Sequence, residues 1–160
     1  MDETEAGLLR AKIVENTRLD GQCLIWTGGL SEKGYGRLDV TLDGKVRNRR
    51  VHRIIWELQR GPIPDGMVLD HTCYNRACWN LHHLHLVTVK QNNENRDPAT
   101  SRYRGTSWNS AVGKWKVSVK HHGIAYHGGY FDDRDEAARV AREMRARLFS
   151  NSLGDALLPA

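Results

Sequence analysis

The sequence predicts an α+β protein made of two small units. Three observations carry that prediction. One short run, 70-DHTCYNRACWNLHHLHLVTVKQNN-93, holds two of the three cysteines and four of the eight histidines. A polar break, 97-DPATS-101, follows it. Beyond the break the pattern changes to alternation over three short stretches and then to helical spacing. At 160 residues the chain suits one ordinary domain or two small ones.

Residues 1–20 read as an arm, with a short helix over 2–18 placing Leu8, Leu9, Ile13 and Val14 on one side. The first unit, 21–96, opens with 22-QCLIWTGG-29, a strand entering a Gly-Gly turn. Two strands follow within 34–51, joined by Asp43-Gly44, a strong hairpin dipeptide. The stretch 51-VHRIIWELQRG-61 has Ile54, Ile55 and Leu58 at helical spacing and Gly61 as a stop. A turn at 62-PIPDG-66 leads into the buried strand 67-MVLDH-71, and 84-LHLVTVKQNNENR-96 reads as a strand passing into a helix near Thr88. After a linker at 97–102, the unit 103–150 predicts three strands, at 103–108, 114–122 and 124–131. Its helix begins at 132-DDRDEAAR-139, with Asp133 and Glu136 at capping-box spacing and Ala137, Ala141, Met144 and Leu148 on one face. Residues 151–160 form a tail.

Lys and Arg outnumber Asp and Glu by 24 to 19, with pI near 9.3, a mild pointer toward a polyanionic partner. No run of 18 apolar residues is present, so no membrane span is expected. The acidic start MDETEAGLLR has no apolar signal region, and a cytoplasmic location follows by default. Three cysteines cannot all pair with one another, and in a reducing compartment metal ligation is the better expectation.

Cys73 and Cys78 are separated by four residues, and His83 follows after four more. Thiolate and imidazole are ligands that zinc prefers, and Cys23 would complete a Cys3His set; His82 and His85 are alternatives. His85, between Leu84 and Leu86, is expected to face outward. Asp70 and His71 are not needed for that site. They end a strand, and Asn92 lies 21 residues beyond His71. Imidazole is a base near neutral pH, while carboxylate and amide oxygens suit Mg2+, so these three could serve phosphodiester hydrolysis.

The run 70-DH, Cys73, Cys78, Asn80, His83 and Asn92, with 22-QCLIWTGG, GYGR-37, 51-VHRIIWEL-58 and 62-PIPDGMVLDH-71 ahead of it, resembles an HNH nuclease of the ββα-metal class. Its cysteines make it most similar to the His-Cys box homing endonucleases and their phage relatives. The resemblance implies His71 as general base and Asp70 with Asn92 as ligands of a catalytic Mg2+, with Mn2+ as substitute. It implies Cys23, Cys73, Cys78 and His83 as structural Zn2+ ligands, Asn80 as a brace and Arg37 beside the scissile phosphate. It departs at Leu81, where relatives often carry proline, and in lacking a second cysteine-rich zinc cluster, which leaves monomer and homodimer both open. A phage-encoded protein acting on double-stranded DNA in a bacterial host is the implied setting.

The segment 103–149, with its Y-R-G opening, G-K-W strand, G-G-Y-F sheet end and E-A-A-R helix, resembles an AP2-type DNA-binding domain, which lays a three-stranded sheet in the major groove. Between Asp97 and Tyr126 stand five Lys or Arg and one acid, interleaved with Trp108 and Trp115. Alternation makes Arg104, Trp108, Lys114, Lys116, Ser118 and Lys120 the expected groove-facing residues, with one of the two tryptophans packed on the helix. Five basic residues in 45-KVRNRRVHR-53, Arg47, Arg49 and Arg50 among them, form either a second DNA-contacting arm or an exposed charge run. Three functions are open to these residues: a metal-dependent DNA endonuclease, a non-catalytic zinc-stabilised DNA-binding regulator, and a zinc hydrolase of small molecules. The third needs an open coordination position that four available ligands disfavour. The Asp70–His71–Asn92 set favours the endonuclease, because a pure binder gains nothing from a base beside a hard-cation site.

Overall fold

The computed structural model describes residues 3–42 and 44–152, and the chain divides into two compact units, 1–88 and 89–160. Asp43 and residues 153–160 of the tail lie outside the described residues. The division falls at Thr88/Val89, ahead of the expected 97–102 linker. That stretch instead holds a helical turn, α4 (Pro98–Ser101), whose cap is the Asp97 carboxylate accepting from Ala99 N at 2.9 Å. No helix among the described residues is long and apolar enough to cross a membrane.

In the first unit, α1 runs Glu3–Glu15. Its inward face is Leu9 and Ile13, one turn apart, and Ile13 is fully buried. Leu8 and Val14 sit a residue off that line, about 100° round the helix, and point to solvent, so the predicted stripe is narrower than read. The helix stops at Glu15 because Asn16 Nδ2 donates to Lys12 O (2.9 Å) and Thr17 Oγ1 to Ile13 O (2.6 Å). Thr17–Asp20 is then a strand, β1, not the helix end that the sequence suggested. It turns at Gly21 (φ 57°) and pairs antiparallel with β2 (Cys23–Trp26). The hairpin of β3 (Arg37–Leu42) and β4 (Lys45–Arg50) leads into α2 (Val51–Arg60), ended by Gly61 at φ 84°. Antiparallel β5 (Met67–His71) and β6 (Leu84–Thr88) bracket a loop that closes with a 3-10 turn at Leu81–His83.

Ile13, Trp26, Leu38, Val40, Val51, Ile54 and Ile55 form the main core, while Trp56, Leu69 and Leu84 form a smaller one. Leu81 packs against both. Each such side chain contributes about 1.5–3 kcal/mol on burial, against roughly 1–2 kcal/mol of backbone entropy for every residue ordered. A unit of 88 residues therefore folds near balance, and a cross-link through its loops has leverage.

The second unit opens with α3 (Val89–Glu94) and α4. Strands β7 (Thr106–Asn109), β8 (Lys114–His121) and β9 (Ile124–Phe131) then form an antiparallel sheet in that order. Strand β7 begins three residues later than expected, because Tyr103 O is taken by Thr106 N in a turn (3.1 Å). His122 and Gly123, at φ 47° and 82°, make the two-residue connection of β8 to β9 with the twist that hairpins favour. Helix α5 (Arg134–Leu148) is capped by Asp133, whose carboxylate accepts from Glu136 N at 2.7 Å. It packs Ala137 and Ala141 on Val117. Gly128 is the extra residue of a bulge opposite Val117 and Ser118; a Cβ there would lie 2.5 Å from Met144 Sδ, so only glycine lets helix and strand approach this closely.

Candidate metal centre and active site

The loop after β5 is folded by its own polar atoms. Tyr74 takes φ 57°, which turns the chain sharply after Cys73, and Tyr74 N donates to His71 O (3.1 Å). Asn75 Oδ1 accepts from Ala77 N, and its carbonyl from Cys78 N, both at 3.1 Å. Residues 77–79 then run along the edge of β2, with Trp26 N donating to Ala77 O (3.0 Å) and Trp79 N to Leu24 O (2.9 Å). Asn80 fastens the far side, its Nδ2 donating to Gln22 O (2.7 Å) and its Oδ1 accepting from His82 N (3.0 Å).

These contacts bring the donor atoms of Cys23, Cys73, Cys78 and His83 within 4.8 Å of one another. His83 Nδ1 is 3.5 Å from Cys78 Sγ and 3.6 Å from Cys23 Sγ. A tetrahedral zinc with bonds of about 2.3 Å to sulfur and 2.0 Å to nitrogen has S···N edges of about 3.5 Å, so the donor set suits that ion in chemistry and these two edges suit it in spacing. Cys78 is fully buried, and its sulfur accepts from Asn80 N at 3.4 Å, a bond that favours thiolate. The Cys73 thiol donating to Cys78 pulls Cys78 below the usual thiol range; the same bond, with burial, pushes Cys73 up, and burial raises Cys23. His82 and His85 are exposed and lie outside the cluster.

Asp70 and His71 close β5, both more than nine-tenths buried. His71 Nε2 lies 3.0 Å from Cys78 O. A carbonyl can only accept, so Nε2 carries the hydrogen and Nδ1 keeps a lone pair. Burial holds the His71 pKa below the ordinary imidazole value, although the Cys78 bond and the Asp70 charge pull it back; Arg76 lowers it further. The ring is thus neutral near pH 7, fixed in one tautomer, and tied to the backbone of a candidate zinc ligand.

A family model described as HNH endonuclease matches residues 49–94. Protein 7.7 of Escherichia phage T7 is 47% identical over 72 residues, covering 45% of this chain and 52% of that protein. The gene 5.3 protein of Enterobacteria phage T3 is 36% identical over 73 residues, 41% of this chain and 72% of the relative. Protein 3.8 of Escherichia phage T7 is 34% identical over 101 residues, 61% of this chain and 81% of the relative. The chain belongs to the family of these phage proteins and carries an HNH endonuclease domain. It spans about half the length of Protein 7.7. No solved structure matches it.

Around His71 the fold brings together a group whose closeness the sequence did not reveal. His52 on α2 meets the His71 ring edge-on at 4.8 Å between centroids, and the Tyr35 ring lies 5.4 Å from His52 and 6.0 Å from His71. Arg50 and Arg76 each sit over the Tyr35 ring, at 4.7 and 5.5 Å. These residues come from four separate segments and share no common spacing signal, although GYGR-37, Arg50 and the VHR run of α2 each carry one of them. Arg37, the arginine singled out from sequence, pairs opposite Arg50 in the hairpin and lines an open cleft of about 530 Å³ with Lys12, Ser31, Asp39 and Asn48. Arg49 is taken by an ion pair with Glu57 (2.5 Å), whereas Arg47 is exposed.

His52 is 3% exposed, and its Nδ1 has no hydrogen-bond partner among the described residues. Burial chiefly, then the neighbouring His71, lowers its pKa to about 3. Unfolding frees it to bind a proton, so its contribution is fully present above pH 6.5 and lost as pH falls from there toward 3. Between pH 7 and 5 this group should remove about 2 kcal/mol of stability. Urea unfolding of wild type and His52→Phe at both pH values checks it: the variant should lose less stability on acidification by about that amount. Equal losses would refute the assignment.

Asn92 stands on α3 of the second unit, half-buried. In the sheet of that unit, residues directly opposite share a face. Lys114, Lys116, Ser118 and Lys120 are thereby joined by Ser107, Asn109, His127 and Tyr130 on the side away from α5. Lys114 there pairs with Asp132 (2.9 Å). Two expectations are corrected. Trp108 pairs opposite Trp115 (ring centroids 5.3 Å apart), so it belongs to the helix side of the sheet although 53% exposed. Arg104 precedes β7, and its guanidinium donates to Glu94 O (2.9 Å) and Asn93 O (3.3 Å) instead of facing the groove.

Proposed function

We propose that the protein is a sequence-specific, divalent-metal-dependent DNA endonuclease of the homing type. The observation that carries this reading is His71, whose Nε2 is tied to Cys78 O so that a neutral Nδ1 is left as base, within the segment matching the HNH model. Nδ1 takes the proton of a water as its oxygen attacks phosphorus in line with the 3′ oxygen. The P–O3′ bond breaks, leaving 5′-phosphate and 3′-hydroxyl ends. On the sequence resemblance, Asp70 and Asn92 are the hard oxygen donors that would hold Mg2+, with Mn2+ as substitute, and that ion when bound would stabilise charge on the phosphoryl group and the departing oxygen. Arg50 and Arg76 over Tyr35 are assigned to the phosphate, and Arg37 and Arg47 to the flanking backbone. Cys23, Cys73, Cys78 and His83 would hold the structural zinc. The order β5, β6, α3 along the chain supports the ββα-metal reading. The three-stranded sheet with one helix supports an AP2-type reader, whose open face carries Lys116, Ser118, Lys120, His127 and Tyr130 toward the duplex.

The test is cleavage of supercoiled plasmid and of phage-host genomic DNA with Mg2+ or Mn2+, comparing wild type with Asn92→Ala at matched zinc content. Wild type alone should cut, leaving ends that ligase joins without kinase treatment. Nicked product points to one acting centre, and linear product to two. Binding without cutting under either metal would replace this reading with a zinc-stabilised DNA-binding regulator.

A further inference from the structure

Helix α3, six residues long, cannot persist on its own strength. What fixes it is a carboxylate. Glu94 is 5% exposed, and burying a charge is costly unless it is paired. Its side chain ion-pairs with Lys90 one turn back, lies 3.3 Å from His121 Nδ1 at the end of β8, and accepts from both Ser150 N and Ser150 Oγ at 3.2 Å beyond α5. The helix's free carbonyls are held from the same unit. Arg104 donates to those of Glu94 and Asn93, with its guanidinium 5.1 Å over Phe149, and Asn151 Nδ2 donates to Gln91 O at 3.2 Å. So this one helix is gripped by the segment before β7, the end of β8 and the chain after α5.

We propose that Glu94 is a positioning residue, docking α3 onto the three-stranded module so that Asn92, two residues earlier, is held in place for its cation. The role given to Asn92 rests on the nuclease reading above; the docking does not. The module is then a working part of the cutting machinery as well as a reader of DNA. A separable reader would need neither a buried carboxylate nor an arginine spent on capping α3.

The test uses the full chain with Glu94→Gln, which keeps the shape and removes the charge, and with Ser150→Ala as a milder variant. Hydrogen–deuterium exchange is followed in peptides covering 89–96 and, as control, 67–71 and 84–88. Glu94→Gln should speed exchange over 89–96 by about tenfold or more, the worth of a charge-assisted bond, and Ser150→Ala by less, with the controls unmoved. In cleavage, the Mg2+ concentration for half-maximal rate should rise at least about fivefold and kcat should fall, while DNA affinity without divalent metal stays within about twofold. Unchanged exchange over 89–96 in both variants overturns the docking. Faster exchange with unaltered kcat and Mg2+ demand overturns the positioning role. If wild type itself does not cut, the nuclease reading falls and the positioning role with it, while the exchange data still decide the docking.

Discussion

His71→Ala should lower the cleavage rate by about 10²–10⁴-fold, the range that a positioned general base supplies, while zinc content stays at the wild-type value. The separation is expected because the ring touches the metal cluster only through the backbone carbonyl of Cys78, not through a ligand atom. Losing that bond leaves one buried carbonyl to find a new partner, a cost of roughly 1–3 kcal/mol. The barrier for hydrolysis should rise by about 3–5 kcal/mol. DNA affinity should hold, since the proposed phosphate contacts are Arg50, Arg76 and the lysines of the sheet, not the His71 ring. The measurement is single-turnover cleavage beside zinc analysis and a binding isotherm. A variant that loses zinc or unfolds would show that His71 is part of the scaffold and that the division between base and metal loop is wrong.

What could be read from sequence depended on whether a residue's partners lie near it in the chain. Cys73, Cys78 and His83 fall within one loop, and with three cysteines in the chain Cys23 was the remaining thiol. Helix caps were legible for the same reason: Asp133 acts on Glu136, three residues away. The meeting of Tyr35, His52 and Arg76 was not legible because α2, the loop ahead of β3 and the metal loop come together only on folding. Strand β1 was missed because Thr17–Asp20 follows a helical pattern, and its conformation is set by pairing with β2. Arg104 looked like one more cation in a basic stretch; its partners are main-chain carbonyls, which no composition reveals. Trp108 was placed on the wrong face because alternation along β7 cannot say which side α5 will cover.

Cys78→Ser should cost both stability and cleavage, and this joint loss separates it from His71→Ala. Cys78 is the most buried donor of the cluster, accepts Asn80 N–H on sulfur, sits 3.5 Å from His83 Nδ1, and through its carbonyl fixes His71. An alkoxide oxygen is harder to generate than a thiolate and ends nearer its own Cβ, so the site loses a ligand and its neighbours lose their registration. Zinc held by the native state and not by the unfolded one is folding free energy, and a unit of 88 residues with two modest cores has little else in reserve. A loss of at least about 3 kcal/mol is therefore expected, with zinc below one equivalent and cutting abolished even where protein remains folded. His85→Ala, at an exposed position outside the cluster, should change neither quantity. Full zinc content and wild-type unfolding in Cys78→Ser would mean that these four residues do not hold the metal, and that His71 is fixed by the loop's hydrogen bonds alone.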